Sequence, residues 1–335
     1  MSETIPVKLL FSDGVMHTID ASPGQTLVEA AAGAGLGLLT DCSNGQCGTC
    51  VAQCVFGEVE LGDYDKAVLP DGDRADGSIL CCVAHVRAPA VIELPYDASE
   101  ACAEEAPPQQ GYVHSIETVA EEVVRLVIQV NEPVQFLPGQ YVRLRPQGVT
   151  GWRSYSMANS TGEKQLEFFV RVVDGGAFSQ WLTTQAVLGM GVDVGTPRGS
   201  FFLRDEPRPR LFVAGGTGLA PFLAMLRKLS ASTPVANTPP TRLLVGARSG
   251  AHLFAQEEIR AVQRTIPNLH VTLACESIAP DGSHLGYATD LITPGSLLPG
   301  TRVYLCGPPP MVDAARVAVL KAGARKNDVL CERFN

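Results

Sequence analysis

The stretch Cys42-Ser43-Asn44-Gly45-Gln46-Cys47-Gly48-Thr49-Cys50 decides the fold of the first part of the chain. Its three cysteines have the spacing Cys-x4-Cys-x2-Cys, and a fourth follows about thirty residues later, at Cys81 or Cys82. This spacing is typical of a [2Fe–2S] cluster, because a tight loop supplies three thiolates and a distant strand supplies the fourth. Gly45 and Gly48 allow backbone N–H groups to approach the sulfurs. We therefore predict an iron–sulfur cluster at this loop.

A structural zinc site or a set of buried thiols is the alternative interpretation of these cysteines. Zinc sites usually combine two short Cys-x2–4-Cys pairs, whereas this stretch contains one Cys-x2-Cys pair. Cys54 continues the series, but it follows the start of an apparent strand, and we interpret it as a core thiol. The spacing favours the cluster.

Size and composition restrict the class of protein. At roughly 150 residues per domain, a chain of 335 residues predicts two or three domains, and its apolar content of 45% is ordinary for globular proteins. The net charge of −9 argues against binding to nucleic acid. No apolar run reaches the roughly 18 residues of a membrane span, and the first residues do not resemble a secretory signal. We expect a cytoplasmic protein with mostly reduced cysteines and no membrane partner.

Two breaks divide the chain into three segments. Residues 97–111 are acidic and small and end near a proline pair, which predicts an exposed linker, and residues 205–209 form a second break. The predicted organisation is a first domain at 1–98, a linker at 99–110, a second domain at 111–206 and a third at 207–335. In the first, residues 7–11 and 15–19 predict a hairpin, and Thr26 with Glu29 predicts a capping box ahead of a short helix.

The other two segments differ in their periodicity. Residues 113–118, 123–130, 141–145 and 166–173 alternate between apolar and polar, which predicts a small antiparallel barrel. Short apolar runs at 211–214, 243–245, 271–274 and 303–305 alternate with helical patterns at 220–230 and 311–322. That alternation predicts an open parallel α/β sheet. The predicted fold class is multidomain, α+β followed by α/β.

Arg153-Ser154-Tyr155-Ser156 lies on a predicted strand of the barrel. A guanidinium suits a pyrophosphate, a phenol offers a flat surface to a flavin ring, and a hydroxyl near the flavin N5 can assist hydride transfer. The motif alone is weak, because any surface strand could carry it. Downstream, residues 175–179 lead into a predicted helix whose free N–H groups can hold a phosphate.

Two loops of the third segment have the composition of a dinucleotide site. Gly215-Gly216-Thr217-Gly218 follows the first predicted strand and opens a helix, which is the context of a phosphate-binding loop. Cys306-Gly307-Pro308 follows the strand at 303–305, at the end of the sheet where ligands bind. A tight turn and a lone buried thiol are the alternatives, and the terminal Glu332-Arg333-Phe334 could be an ordinary charged tail.

In combination these motifs resemble known families. Asp41-Cys42 and Leu80-Cys81-Cys82-Val83-Ala84 resemble a plant-type ferredoxin domain of β-grasp fold, whose Leu-x-Cys-x-Ala register implies the cluster ligands Cys42, Cys47, Cys50 and Cys82. The barrel motifs, continued by Val170-Arg171, Gly176-x-x-Ser179 and residues 197–201, resemble the flavin domain of the ferredoxin–NADP reductase superfamily. The order of the domains implies FAD rather than FMN.

The resemblance also implies the roles of individual residues. Ser156, Cys306 and Glu332 are expected to arrange hydride transfer, and Phe334 to cover the flavin. The implied cofactor-binding residues are Arg153, Ser154, Tyr155, Ser156, Arg171, Gly176, Ala177, Phe178 and Ser179 for the flavin, and Gly216, Thr217, Gly218, Arg248, Cys306, Gly307, Pro308 and Met311 for the nicotinamide cofactor. We expect NADH rather than NADPH, although Arg248 and Ser249 point the other way.

Over its whole length the sequence is similar to the reductase components of benzoate-type (class IB) ring-hydroxylating dioxygenases. This resemblance implies hydride transfer from NAD(P)H to FAD, then single electrons through the cluster to a Rieske-type oxygenase, with no separate ferredoxin. A reductase of a soluble diiron monooxygenase or of a deoxysugar dehydrase would share every motif. A non-catalytic electron-transfer subunit is a further alternative, but it need not retain a nicotinamide cleft.

Overall fold

The computed structural model describes residues 4–40, 42–46, 48–66, 68–101, 107–232 and 239–334. The chain divides into two compact units. The first comprises Met1–Ala106 together with Arg198–Ser200, and the second comprises Pro107–Pro197 and Phe201–Asn335.

The first unit is built on a mixed five-stranded sheet in the order β2-β1-β7-β3-β5. The predicted hairpin is confirmed as β1 and β2, and the capping box is confirmed, since Glu29 N–H donates to Thr26 Oγ1 at 3.2 Å and Thr26 N–H to Glu29 Oε2 at 2.8 Å. The apolar face of the sheet buries Val7, Leu9 and Ile92. Its elements are β1 Ile5–Leu10, β2 Met16–Ala21, α1 Leu27–Gly33, β3 Val51–Phe56, β4 Val59–Leu61, α2 Asp71–Ala75, β5 Ser78–Leu80, β6 Ala84–Val86 and β7 Ala90–Glu93.

The second unit begins with an antiparallel six-stranded sheet in the order β11-β10-β13-β8-β9-β12, which we call the barrel half. All four predicted stretches are strands. Gln109 and Gln110, assigned above to the linker, belong to β8 and pair with Val194 and Asp193 of β13. Strand pairing can begin on polar residues, which the sequence pattern did not indicate. The elements are β8 Gln109–Ala120, β9 Val123–Val134, β10 Tyr141–Pro146, β11 Arg153–Ser156, β12 Glu163–Arg171, α3 Ala177–Thr184 and β13 Gly191–Val194.

The rest of the second unit, which we call the nucleotide half, is a parallel sheet in the order β17-β16-β15-β14-β18-β19. The predicted alternation of strands and helices is confirmed, and so is the fold class. Sequence reasoning missed the terminal strand β19, which pairs with β18 so that Glu332 lies beside Cys306. The elements are β14 Arg210–Gly215, α4 Ala220–Ser232, β15 Thr241–Ala247, α5 Gln256–Thr265, β16 Leu269–Cys275, β17 His284–Leu285, β18 Arg302–Gly307, α6 Pro309–Lys321 and β19 Val329–Arg333.

None of the helices in the described ranges is both long and apolar enough to cross a bilayer. The two longest that carry labels, α4 and α6, have 13 residues each, against the about 20 that a span requires.

Candidate functional site

Three of the four predicted cluster ligands converge in the first unit. The Cys82 sulfur lies within hydrogen-bonding range of the thiols of Cys50 and Cys42 and of the Gly45 backbone N–H. The Cys82 N–H donates to Cys50 Sγ at 3.4 Å. Cys47 lies outside the described residues. Thiolate sulfur is the ligand that a [2Fe–2S] cluster requires, so the donor set of this loop fits one.

The adjacent cysteines Cys81 and Cys82 have different environments. Burial and the neighbouring Cys82 together raise the pKa of the Cys81 thiol to about 12. Hydrogen bonding from the Cys50 thiol lowers the pKa of Cys82 to about 7, although partial burial opposes it. The backbone of Cys81 is structural, because its N–H donates to Cys50 O at 3.0 Å and its carbonyl accepts from Val28 N–H at 3.3 Å.

The glycine at position 45 shapes the cluster loop. Its φ of 77° lies in the left-handed region, and a Cβ there would come 2.7 Å from the Cβ of Tyr64. Only glycine meets both conditions without strain. The loop can therefore turn tightly enough to direct the Gly45 N–H at the Cys82 sulfur.

The motif Arg153–Ser156 forms β11, at the edge of the barrel sheet beside β10. Arg153 and Ser154 are exposed, whereas Tyr155 packs against Phe178 and Phe168, with ring centroids 4.7 Å and 6.5 Å away. Burial raises the pKa of Tyr155, so its phenol stays neutral. The strand therefore presents an exposed cation at one end and a fixed aromatic ring beyond it.

A stacked tryptophan beside this strand was not anticipated from the sequence. The guanidinium of Arg145 lies 4.6 Å from the ring centroid of Trp152, and that of Arg143 lies 5.6 Å away. Arg153 Nη1–H donates to the Trp152 carbonyl at 2.8 Å. The available signal was the pair Arg143 and Arg145 on the predicted strand at 141–145, because alternate residues share a face.

The predicted phosphate-binding helix is α3, with Gly176 as its N-cap. Ala177 begins the helix, and Phe178 and Ser179 are buried on its inner side. Ser179 Oγ accepts from Val173 N–H at 2.9 Å, which fixes the loop that follows β12. The exposed Arg171 lies at the end of that strand. A helix N-terminus next to a cation fits a phosphate group.

The two predicted loops of the nucleotide half lie against each other. A Cβ at Gly218 would collide with the carbonyl oxygen of Cys306, and one at Gly215 would come within 3.0 Å of Pro308 and 2.8 Å of Met311. Both loops follow neighbouring parallel strands, β14 and β18, at their carboxyl ends. This cradle, with Gly216–Leu219 in a single helical turn before α4, fits the phosphates and nicotinamide end of a dinucleotide.

The carboxylate of Glu332 joins the barrel half to the nucleotide half. Ser156 Oγ donates to Glu332 Oε2 at 3.1 Å, and Cys306 Sγ donates to the same oxygen at 3.6 Å. The three residues predicted to arrange hydride transfer are thus brought together. Burial raises the pKa of Cys306 well above its ordinary value, and the charge of Glu332 raises it further, so the thiol remains protonated.

The chain terminus continues past this contact. The N–H of Phe334 donates to the Gly307 carbonyl at 3.3 Å, and the ring packs against the apolar core of the nucleotide half. The structure places Phe334 next to Gly307, as the pairing of β18 with β19 requires.

Arg248, at the carboxyl end of β15, pairs with Glu122, which also lies 3.7 Å from Arg171. Glu122 occupies the β8–β9 turn with a φ of 59°, an uncommon conformation for a residue other than glycine. Ser249 Oγ lies 2.8 Å from His252 Nδ1. Sequence reasoning did not connect Glu122 with Arg248, because 126 residues separate them.

Family models match all three parts of the chain. The 2Fe-2S iron-sulfur cluster binding domain matches residues 10–87, the oxidoreductase FAD-binding domain residues 110–203 and the oxidoreductase NAD-binding domain residues 212–317. Together with the folds above, they define an oxidoreductase that carries a [2Fe–2S] cluster, FAD and a nicotinamide cofactor. The three predicted cofactors are confirmed at this level.

Individual relatives indicate which kind of oxidoreductase this chain is similar to. The toluate 1,2-dioxygenase electron transfer component of Pseudomonas putida is 34% identical over 97% of this chain and 96% of that protein. The methane monooxygenase component C of Methylosinus trichosporium is 39% identical over 71% of each chain. The crystal structure of Amycolatopsis cytochrome P450 reductase GcoB has a TM-score of 0.72 and 30% identity, with 98% of both chains covered. This chain belongs to the family of reductases that contains the dioxygenase electron transfer components.

Proposed function

We propose that this protein oxidises NADH and delivers single electrons, through FAD and the [2Fe–2S] cluster, directly to a Rieske-type aromatic-ring-hydroxylating dioxygenase. The observation that carries the proposal is the Glu332 carboxylate, which accepts hydrogen bonds from Ser156 of the barrel half and Cys306 of the nucleotide half. Such a contact brings a flavin-binding strand and a nicotinamide-binding loop to one place. A purely electron-transferring subunit would have no need of it.

We assign the cluster to Cys42, Cys47, Cys50 and Cys82. The neighbouring thiols of Cys42, Cys50 and Cys82 support this assignment. With the cluster bound, the Gly45 N–H is expected to remain a donor to the Cys82 sulfur, and such bonds tune reduction potentials.

For the flavin, we assign its pyrophosphate to Arg153 and the α3 N-terminus at Gly176, with Ser179 holding the preceding loop. Tyr155 supplies a fixed aromatic face, and Ser154 and Arg171 provide further polar contacts. When bound, FAD accepts two electrons as hydride and releases them one at a time. Ser156, held by Glu332, places a hydroxyl where this chemistry occurs.

For the nicotinamide cofactor, we assign the pyrophosphate to Gly216, Thr217 and Gly218 and the nicotinamide to the neighbourhood of Cys306. Cys306 has no need to ionise, because the expected role of its protonated thiol is to occupy a fixed volume beside the reacting carbon. Gly307, Pro308 and Met311 complete the wall of this cradle, and the Phe334 ring is expected to cover the flavin.

We propose a preference for NADH. An exposed arginine at Arg248 would favour a 2′-phosphate, but its guanidinium pairs with Glu122. The exposed Glu276 follows the neighbouring strand β16. The next residue, Ser277, donates from both its N–H and its hydroxyl to the Arg248 carbonyl, at 3.0 Å each, and so holds Glu276 near Arg248. Two carboxylates at the adenosine end of the sheet would repel a 2′-phosphate.

The partner we propose, an oxygenase, should dock through a basic face. Residues 1–106 contain 17 acidic and 4 basic residues, a net charge of −13, whereas residues 107–335 contain 18 acidic and 22 basic ones. The negative charge is therefore concentrated in the cluster-bearing unit, and complementary charge accelerates encounter. The acidic Asp63 and Asp65 lie beside the loop that bears the cluster ligands, since the Asp65 N–H donates to the Gly45 carbonyl at 3.2 Å and a Cβ at Gly45 would lie 3.0 Å from the Asp63 carbonyl oxygen. We propose a cytoplasmic location, a reducing compartment in which the thiolate ligands of such a cluster are not lost to disulfides.

A monooxygenase is the second candidate partner. The match to methane monooxygenase component C has the higher identity, at 39%, but it covers 71% of this chain, whereas the toluate relative covers 97%. Among the relatives that match nearly the whole chain, the toluate relative is 34% identical and the phenol 2-monooxygenase reductase component DmpP is 31% identical, and this difference favours the dioxygenase.

Reconstitution tests the proposal in two stages. NADH is first added anaerobically to the purified holoprotein, and we expect loss of the oxidised flavin absorbance together with the EPR signal of the reduced cluster. A candidate Rieske oxygenase and its aromatic substrate are then added without any ferredoxin, and we expect hydroxylated product. Product that forms only after addition of a separate ferredoxin contradicts direct transfer, and coupling only to a monooxygenase contradicts the proposed partner.

A further inference from the structure

A buried ion cluster lies where the barrel half and the nucleotide half of the second unit meet. At its centre is Glu167 on β12, whose side chain is only 7% exposed. Glu167 Oε1 accepts from Arg125 Nε at 2.5 Å, and Glu167 Oε2 accepts from Arg227 Nη1 at 2.5 Å. Arg125 belongs to β9 of the barrel, whereas Arg227 belongs to α4 of the nucleotide half.

The carboxylate is ionised in this position. Burial opposes the charge, but Arg227 and Arg125 more than compensate and lower the pKa of Glu167. A buried carboxylate needs such partners, because an unpaired charge in the interior is strongly disfavoured. The buried charge of Glu167 also holds Arg227 in place, because the partly exposed Arg227 side chain has its guanidinium in contact with that carboxylate.

Arg227 also contacts the backbone that follows β11, the strand Arg153–Ser156, which we call the flavin strand because we assign it to the flavin. Its guanidinium donates to the carbonyl of Ala158, two residues beyond Ser156. The N–H of Ala158 donates to the Glu167 carbonyl at 2.9 Å, and the N–H of Glu167 donates to Asn159 Oδ1 at 3.0 Å. The segment after β11 is therefore held from β12 on one side and from α4 on the other.

We propose that Arg227 and Glu167 are a positioning pair that sets the nucleotide half against the flavin strand for hydride transfer. The inference rests on the proposed function. The two halves meet on this strand at Ser156–Glu332 and again at Ala158–Arg227. A displacement at the second contact is transmitted to the first, because only Met157 separates Ser156 from Ala158. Hydride transfer depends on geometry at the ångström scale.

The matched variants are Arg227→Met and Arg125→Met. Each removes one guanidinium from the same carboxylate. Arg227 belongs to the nucleotide half, whereas Arg125 belongs to the barrel half, as Glu167 does. We expect Arg227→Met to lower the limiting rate of flavin reduction by NADH by about 10- to 100-fold in stopped-flow experiments, with the apparent Kd for NADH changed by less than about threefold. Arg125→Met should stay within about threefold of wild type in both quantities, because Arg125 lies within the barrel half and Glu167 keeps its contact with Arg227. Glu167→Gln, of equal size, should slow reduction in the same direction without loss of the fold.

A second measurement does not depend on turnover. Amide hydrogen–deuterium exchange should become faster at Met157, Ala158 and Asn159 in Arg227→Met and stay unchanged there in Arg125→Met, with FAD content equal in both. The double variant Glu167→Gln/Arg227→Met should be no slower than Arg227→Met alone, since the two residues act as one unit.

Three outcomes would overturn the inference. They are an unchanged limiting rate in Arg227→Met, an equal loss of rate in Arg125→Met, and rate losses that multiply in the double variant. Failure of wild-type protein to be reduced by NADH at all would instead contradict the proposed function, so the two failures are distinguishable.

Discussion

Replacement of Glu332 by alanine tests the contact between the two halves of the second unit. The carboxylate accepts from Ser156 Oγ at 3.1 Å and from Cys306 Sγ at 3.6 Å, and the alanine variant loses both bonds. Glu332 lies in β19, whose pairing with β18 is made by backbone groups, so the strand itself should survive the change.

The expected loss follows from the two bonds. A hydroxyl donating to a carboxylate at good distance contributes about 1.5 kcal/mol, and the longer bond from a weak thiol donor contributes about 0.5 kcal/mol. If both serve to place Ser156 and Cys306 for hydride transfer, the barrier rises by about 2 kcal/mol. That corresponds to about a 30-fold lower rate of flavin reduction, with little change in NADH affinity.

Anaerobic stopped-flow reduction by NADH measures this rate, with flavin content determined on the same sample. Asp313→Asn is the control, because Asp313 pairs with Arg333, the neighbour of Glu332, at 2.7 Å and touches neither donor. The control should remain within about threefold of wild type, as expected for one partly exposed ion pair. A fall of less than threefold in Glu332→Ala, or an equal fall in Asp313→Asn, would refute the reasoning.

Four further predictions address the other sites. Cys82→Ser should abolish the visible absorbance and reduced-state EPR signal of the cluster, whereas Cys81→Ser should keep both; the opposite pattern contradicts the ligand register. Arg153→Ala should weaken FAD binding by about 1.5–3 kcal/mol, measured as flavin content after gel filtration, while the cluster spectrum persists. Glu122→Gln should raise kcat/KM for NADPH relative to NADH, and Arg248→Ala should cancel that gain; an unchanged ratio counts against the proposed role of Glu122. Asp328→Asn should destabilise the second unit by about 3 kcal/mol, followed by the fluorescence of Trp152 and Trp181 during urea unfolding, because buried Asp328 pairs with Arg208 and Arg325 at 2.6 Å each. Burial opposes its ionisation, but these pairs lower the pKa of Asp328 below 3.8, so the difference between wild type and variant should be complete above that pH and shrink as pH falls through the lowered value.

Features that depend on neighbours in sequence were predictable. The hairpin, the capping box and the buried strands follow from local periodicity, and each glycine-rich loop directly follows a strand. The convergence of Cys42, Cys50 and Cys82 was predictable as well, because the geometry of a cluster demands it.

Features that depend on distant pairing were not predictable. Residues 329–333 carry no apolar alternation and were open to interpretation as a charged tail, yet they form β19 because β18 offers an unpaired edge. Glu122 reaches Arg248 only after the β8–β9 turn has folded beside the nucleotide half. Backbone pairing and ion pairs of this kind leave no local pattern.

One signal for the ion cluster was present but not used. Glu167 interrupts the apolar run Leu166, Phe168, Phe169, and all four side chains are buried. An acid within a strand that is apolar on both faces must find a cation, because its burial is otherwise too costly. The partner, Arg227, could not be named from sequence, since it lies 60 residues away on a helix.

Residues 153–158 differ in whether they contact the nucleotide half. Arg153 and Tyr155, at the start and middle of the flavin strand, have no described bond to the nucleotide half and are the residues that we propose for flavin binding. Ser156 and Ala158, at its end and just beyond it, are the points where that half is attached. Substitutions before Ser156 should therefore change FAD occupancy, whereas substitutions that break the Glu332 or Arg227 contacts should change the rate of flavin reduction at full occupancy. The two ends of this strand make separate contacts. The proposed flavin site can therefore bind FAD through one set of side chains while another set holds the hydride-transfer geometry.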